Sequence, residues 1–239
     1  MDISVVIPAR DKRGYIGMTL KALQDQDFPQ SQREIIVVDN GSVDGTADAV
    51  SKYFPEVQIF YEPVEGTNPA RERGRREAKG DIIAFLDADT IPPPWWLGRG
   101  FEYFKNPDIV AVTGPYSFYD GRMRDHIFAY FQRWYFFPLA KKVAEKSGGS
   151  LFFFANVLIR KSALKSIDGL DTSLVYHGDD ADTAWRLAPH GRILYAQDMC
   201  VRTSDRFMHG LIKTVWSDYR SARAIARKHQ ERYARAHTV

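Results

Sequence analysis

The sequence predicts an α/β fold, a mainly parallel sheet with helices on both faces. Three observations carry that prediction. The runs ISVVIP (3–8) and EIIVVD (34–39) are short and rich in β-branched residues, and IIAFL (82–86) is apolar without a break, as suits strands buried in a sheet. Segments with apolar residues at helical spacing lie between them, so strands and helices alternate. Acids close or follow the second and third runs, at the strand edge where open α/β sheets bind ligands.

In order, residues 3–8 form the first strand and 9–14 a polar loop. Ile16, Leu20 and Leu23 mark a helix over 15–24. The strand 34–39 ends in an Asn40-Gly41-Ser42 turn, and Asp44-Gly45-Thr46 starts the helix that carries Ala47 and Val50. A strand over 57–61 follows. A helix over 69–79 has Asn68 as its cap and Pro69 at its first position, and Gly80 closes it. After the strand 82–86, Pro92-Pro93-Pro94 stops regular structure. Residues 109–113 form another strand. Gly148-Gly149-Ser150 breaks the chain before an apolar strand LFFFANVLI (151–159). A helix over 161–166, an Asp168-Gly169 turn, a helix through Trp185 and Leu187, and short strands near 193–195 and 200–201 complete the body.

The composition is that of a globular chain with a sizeable core: 239 residues, 44% hydrophobic and 26% charged. Cys200 is the single cysteine, so no internal disulfide exists and a reducing, cytoplasmic setting is expected. MDISVVIPAR has neither the basic head nor the apolar core of a signal peptide. The nearly apolar run 151–159 is far short of the roughly 18 residues of a membrane span. From residue 206 onward there are eight Lys or Arg against two acids, a net +6, which leaves residues 1–205 at −3 of the overall +3. An acidic body with a basic tail is not a nucleic-acid binder's distribution.

The acids carry the chemistry. Asp87 and Asp89 flank Ala88 beyond a buried strand, and alternation lets both point the same way. Two like charges that close call for a cation, and Mg2+ or Mn2+ holding a phosphate suits them. Asp39 can accept from a uracil imide or a guanine edge, or hold a ribose; a plain turn aspartate fits equally well. Asp179, Asp180 and Asp182 crowd the start of a helix. The helix dipole explains part of that, and a general base with a raised pKa explains the rest. Arg71 and Arg75 share a helix face that suits a pyrophosphate, whereas Arg73 and Arg76 read as solvated.

With these residues in hand, the chain resembles the family 2 glycosyltransferases, over roughly residues 3–205. ISVVIPARDK looks like the family's opening strand and nucleotide loop, and EIIVVDNGSVDGT like its base-binding strand and turn. NPARERGRREAKGDIIAFLDADT is similar to the run into its DxD metal motif. FFFANVLIRKSALKSIDGLD and YHGDDADTAWRLAPHGRILY resemble its acceptor-side and catalytic segments. The resemblance implies a GT-A fold with a Rossmann-like sheet. It divides residues 1–205 into a nucleotide-sugar half (1–115) and an acceptor and base half (116–205). It further implies that Pro8, Ala9, Arg10, Asp39 and Asn40 line the nucleoside pocket and that Arg71 lies near the diphosphate. Asp87 and Ala88 would sit at the ribose, Asp89 with Asp87 would hold Mn2+ or Mg2+, and Asp180 or Asp179 would be the base. The reaction is then an inverting transfer from a UDP- or GDP-sugar to a hydroxyl.

The chain departs from the family pattern in four places. Asp11-Lys12 replaces Asn-Glu after the first Arg, and Asp179-Asp180 replaces Glu-Asp. No histidine lies in 201–206, with His209 next in line as a metal ligand. Gln132-Arg133-Trp134 lies upstream of the base, unlike the processive Gln-x-x-Arg-Trp motif, so one sugar is expected per encounter. A nucleotidyltransferase and a non-catalytic sugar-nucleotide binding module are the rival readings. The Pro8-Ala9-Arg10 loop has no glycine and speaks against the first.

Two stretches stay open. The aromatics from Phe128 to Phe137 read as core packing or as a groove for a lipid-linked acceptor. The tail, 206–239, is a basic amphipathic helix that either packs on the body or lies on an anionic membrane face.

Overall fold

The structure, a computed structural model, describes residues 1–131, 152–174 and 178–205, apart from the side chains of residues 124, 125, 128 and 129. The expectations for the Gly148–Ser150 break, for Gln132-Arg133-Trp134, for most of the aromatic stretch, for His177, and for the 206–239 helix with His209 lie outside the described residues.

The apolar runs become the parallel strands β1 (Ile3–Ala9), β2 (Arg33–Asp39), β3 (Gln58–Tyr61) and β4 (Ile82–Leu86). Every residue of β1, β2 and β4 is buried. Their side chains alternate between two cores. Val5, Ile7, Val37 and Leu86 face one, with Leu20 and Leu23 of α1 (Ile16–Gln24) and Val50 of α2 (Thr46–Tyr53). Val6, Ile36, Val38 and Phe85 face the other, with Ala70 of α3 (Thr67–Glu77). Each such aliphatic side chain contributes about 1.5–3 kcal/mol by leaving water. A continuous apolar strand is thus a strand with a core on each side. Gly74 brings α3 close to the sheet: a Cβ there would run into Val6 Cγ1.

β6 (Ile109–Thr113), β8 (Asn156–Arg160) and β9 (Arg192–Tyr195) extend the sheet to the order β3-β2-β1-β4-β8-β6-β9. The sheet is mostly parallel, but β8 runs antiparallel to both of its neighbours. It inserts between β4 and β6, so residues 1–115 and 116–205 share one sheet. A second sheet joins β5 (Thr90–Ile91), β10 (Val201–Thr203) and β7 (Tyr116–Phe118). Helices α4 (Trp96–Tyr103), α5 (Met123–Phe131), α6 (Lys161–Ser166) and α7 (Asp179–Leu187) complete the set of described helices. Among the described residues no helix is long and apolar enough to cross a membrane.

Three expectations are corrected. Helix α3 begins at Thr67, with Gly66 in the cap position at φ 138°, a conformation that glycine tolerates and Asn68 would not. Asn68 instead donates its side-chain amide to the Asp171 carbonyl. The strand expected over 151–159 starts only at Asn156, because residues 152–155 turn so that the Phe154 N–H can meet Asp180. The prolines at 92–94 stop regular structure as expected: β5 ends at Ile91 and α4 starts only at Trp96. The last strand is Val201–Thr203 rather than 200–201, fixed by its pairing to β5 and β7. Tyr130 and Phe131 are more than half exposed, so this part of the aromatic stretch does not join the core.

Candidate active site

Chain order places the site. The strands step outward from β1 to β2 to β3, then the chain crosses back to β4 on the other side of β1. The crevice beyond the carboxyl ends of β1 and β4 is therefore the switch point, where α/β sheets bind ligands. Ala9 pairs with Asp39, and Val6 with Phe85, so the loops after β1, β2 and β4 emerge side by side.

The loops after β1 and β2 are stitched together. Asp11 N donates to Ser42 Oγ at 3.0 Å, Val43 N to Asp11 Oδ1 at 2.8 Å, Lys12 N to Thr46 Oγ1 at 2.8 Å and Arg13 N to Asp44 Oδ2 at 2.9 Å. Asp11 takes a left-handed φ of 51° to make this crossing. Pro8 and Ala9 are buried strand residues, and Arg10 turns outward to Glu65 at 2.6 Å.

Asp39 is 8% exposed. Its Oδ2 accepts from Ser42 N at 3.4 Å, while its Oδ1 is buried with no hydrogen-bond partner. An acceptor left so is costly unless a ligand completes it. Asn40 is spent on the fold: its Nδ2 donates to the Glu62 and Val64 carbonyls, and its Oδ1 accepts from Gly66 N.

Arg71 links the two acidic motifs. Its Nη2 reaches Asp87 Oδ1 at 3.1 Å and its Nη1 reaches Asp179 Oδ2 at 2.7 Å, with the guanidinium 4.5 Å above the Phe154 ring. Residues 16 and 108 positions away in sequence thus share one cation. The pyrophosphate-facing helix surface expected of Arg71 and Arg75 is turned inward onto acids, since Arg75 pairs with Glu72 at 2.7 Å. Arg73 pairs with Glu77 and Arg76 with Glu72.

The remaining two acids differ. Asp180 Oδ1 accepts from Phe154 N at 2.8 Å. Burial, then the Asp179 charge, pushes the Asp180 carboxyl well above the ordinary range, against the pull of Arg71. Asp89 is 5% exposed and its Oδ2 lies 3.1 Å from Lys12 Nζ. Burial first, then the charge of Asp87 and a smaller share from Asp120, pushes the Asp89 carboxyl up to about 7. Asp120 is brought beside it by the second sheet, where Thr203 pairs with both Thr90 and Phe118. Asp120 itself accepts from Ser204 Oγ and Asp205 N.

Lys12, Asp120 and Phe154 were missed as site residues. Lys12 was visible as a departure from the family pattern. Asp120 and Phe154 carried no local signal, because tertiary pairing alone brings them in. Among the described residues no three His, Cys, Asp or Glu side chains gather into a cage for a metal ion. The donor set still fits a hard divalent ion, which is commonly held by one or two carboxylates and completed by substrate phosphates and water.

The profile described as "Glycosyl transferase family 2" matches residues 4–168. The chain is 34% identical over 120 residues, 48% of its length, to Glycosyltransferase AglE of Haloferax volcanii. It spans well under half the length of the curated relatives it matches first, 40% in that case. Among solved structures, S. aureus TarS 1-349 in complex with UDP superposes with a TM-score of 0.66 at 19% identity, over 85% of this chain and 60% of that one. The mannosyltransferase PcManGT from Pyrobaculum calidifontis, in complex with GDP-Man and Mn2+, gives 0.64 at 24% identity, over 84% and 56%. At these identities the structures speak for a shared GT-A fold.

Proposed function

The chain belongs to glycosyl transferase family 2, and from that premise we propose that it moves one sugar per encounter from a UDP- or GDP-linked donor to an acceptor hydroxyl, with inversion and with Mn2+ or Mg2+ at Asp89. The donor class is supported by the UDP and GDP-Man complexes of the two structural neighbours, and the metal by the Mn2+ of the second.

The observation that carries the reading is the Arg71 bridge. It holds Asp87, on the donor side, and Asp179, on the base side, in one cleft. Asp39 serves the nucleoside base, whose ring N–H would satisfy the orphaned Oδ1. Asp179 is neutralised by Arg71, so its neighbour Asp180 is the base. The raised pKa suits Asp180 to accept a proton. Asp180 takes the proton of the acceptor hydroxyl. The hydroxyl oxygen forms its bond to the anomeric carbon as the bond from that carbon to the diphosphate breaks, and the diphosphate leaves with the electron pair. A divalent ion, when bound at Asp89 and Asp87, stabilises the negative charge gathering on that leaving group. The Phe154 N–H fixes the orientation of the Asp180 carboxylate.

In this reading the acceptor is a lipid-linked or glycan hydroxyl, and the 206–239 tail meets the membrane face. Nucleoside diphosphate release from UDP- and GDP-sugars with Mn2+ tests the core of the reading. Release from one donor class, lost in Asp180→Asn and in Asp89→Asn, is expected. No release from any donor, or full activity in both variants, overturns it. Liposome co-sedimentation with and without 206–239 tests the tail; equal binding removes the membrane contact.

A further inference from the structure

The loop after β1 delivers an ammonium group into the acidic pole of the cleft. Lys12 Nζ lies 3.1 Å from Asp89 Oδ2, with the two side chains 16% and 6% exposed. Its backbone is pinned as well. Lys12 N donates to Thr46 Oγ1 at 2.8 Å, and its carbonyl accepts from Tyr15 N and Ile16 N at 2.9 Å as α1 begins. The stem is therefore anchored between two elements while the charged end reaches Asp89. That carboxylate also sits in the field of Asp87 and Asp120. Like charges gathered this closely repel one another unless a cation sits among them.

We infer that Lys12 is a tethered cation that occupies Asp89 until a divalent ion displaces it, and that the ammonium so released turns to the donor's diphosphate. The inference rests on the proposed metal role of Asp89. Two consequences follow from the geometry. A divalent ion alone must break a buried ion pair and leave an ammonium without its carboxylate, so it binds weakly. A nucleoside diphosphate gives that ammonium a new anionic partner, so ion and nucleotide each strengthen the other's binding, by the same factor. The device would load the cleft with metal and donor together rather than with metal alone.

The test is a set of Mn2+ titrations, read by the loss of the free-ion electron paramagnetic resonance signal, on the full chain as wild type, Lys12→Met, Lys12→Arg and Asp89→Asn. Each is titrated alone and with saturating UDP or GDP, whichever raises the melting temperature. Methionine keeps the length and apolar stem of lysine, and near-ultraviolet circular dichroism checks that each variant is folded. Lys12→Met alone should bind Mn2+ about tenfold or more tighter than wild type, the scale of a close buried charge pair. Lys12→Arg should stay as weak as wild type. The gain in Mn2+ affinity on adding nucleotide should be several-fold smaller in Lys12→Met than in wild type. If Asp89→Asn abolishes binding while Lys12→Met binds Mn2+ no tighter than wild type, or keeps the full nucleotide gain, the role of Lys12 is refuted and the metal site stands. If no form binds Mn2+ even with nucleotide, the metal role of Asp89 falls and the inference falls with it.

Discussion

Replacing Arg71 with methionine removes a cation shared by the two acidic motifs, and its cost can be worked from the structure. The Arg71 side chain is 7% exposed, that of Asp179 12% and that of Asp87 36%. Removing one partner of a buried pair costs roughly 3–5 kcal/mol, mostly because the other charge is left stranded. Asp179 falls in that regime. Asp87 reaches water, so its share is under about 1 kcal/mol. The stack on Phe154 survives as packing but loses its cation–π part, about 0.5–2 kcal/mol. The low end of these ranges gives about 4 kcal/mol at pH 8. At about 2–4 °C per kcal/mol for a domain of this size, the melting temperature should fall by roughly 8–16 °C. The penalty should shrink towards acid pH, where the stranded carboxylate can take a proton. Asp180 supplies an independent readout. Arg71 lowers its pKa, so the acid limb of kcat/KM should move to higher pH in any Arg71→Met enzyme that still turns over. Urea and thermal melts of Arg71→Met, Asp179→Asn and the double variant check the stability part. The reasoning is refuted if Arg71→Met costs under about 1 kcal/mol, or if the double variant is no more stable than Arg71→Met alone.

Three other changes test neighbouring parts of the argument. Asp180→Asn should lower transfer by about 10²–10⁴-fold yet raise the melting temperature at pH 8. The folded-state pKa of Asp180 is raised, so ionising it costs stability as pH climbs above the ordinary carboxylate range, and asparagine removes that cost; an equal or lower melting temperature at pH 8 would contradict this. Glu72 accepts from Arg75, from Arg76 and from Leu170 N, which ties α3 to the turn before α7. Burial pushes its carboxyl up, but these hydrogen bonds outweigh burial and hold it low. Glu72→Gln should therefore cost roughly 2–4 kcal/mol near neutrality, with the difference closing as pH falls through the folded-state pKa of Glu72, as pH-dependent urea melts would read. Gly74→Ala should destabilise by roughly 1–3 kcal/mol, despite alanine's helix preference, because its Cβ would run into Val6 Cγ1; a neutral urea midpoint would show that α3 can move off the sheet.

The sheet was legible where burial alone decides the local structure. Residues 82–86 and 109–113 begin and end where the sequence places them, because a core on both faces leaves a continuous apolar run no other use, and the helix 161–166 keeps its expected bounds as well. The antiparallel insertion of β8 was not legible, since which neighbour a buried strand takes depends on pairings such as Phe85 with Val157 that no local pattern encodes. The small sheet has strands of two and three residues, too short to show any period. The site divides along the same line. Its acids stand at strand ends and announce themselves. Of its cations, Arg71 was legible from its helix face and the resemblance, though not its bridge between the two acidic motifs, whereas Lys12 showed only as a departure from the family pattern in a polar loop. Physical necessity nonetheless required them. A cleft that gathers Asp87, Asp89, Asp179 and Asp180 at one switch point must fold before any ligand arrives. Buried like charges oppose folding unless the walls bring their own countercharge. The sequence therefore calls for at least one buried cation from a neighbouring element for each acidic pair. Arg71 from α3 answers for Asp87 and Asp179, and Lys12 from the first loop answers for Asp89. Asp180 is left to be balanced only by Arg71 at a distance and by one backbone N–H. Burial and the Asp179 charge hold its carboxyl well above the ordinary range, which suits it to take a proton from a substrate.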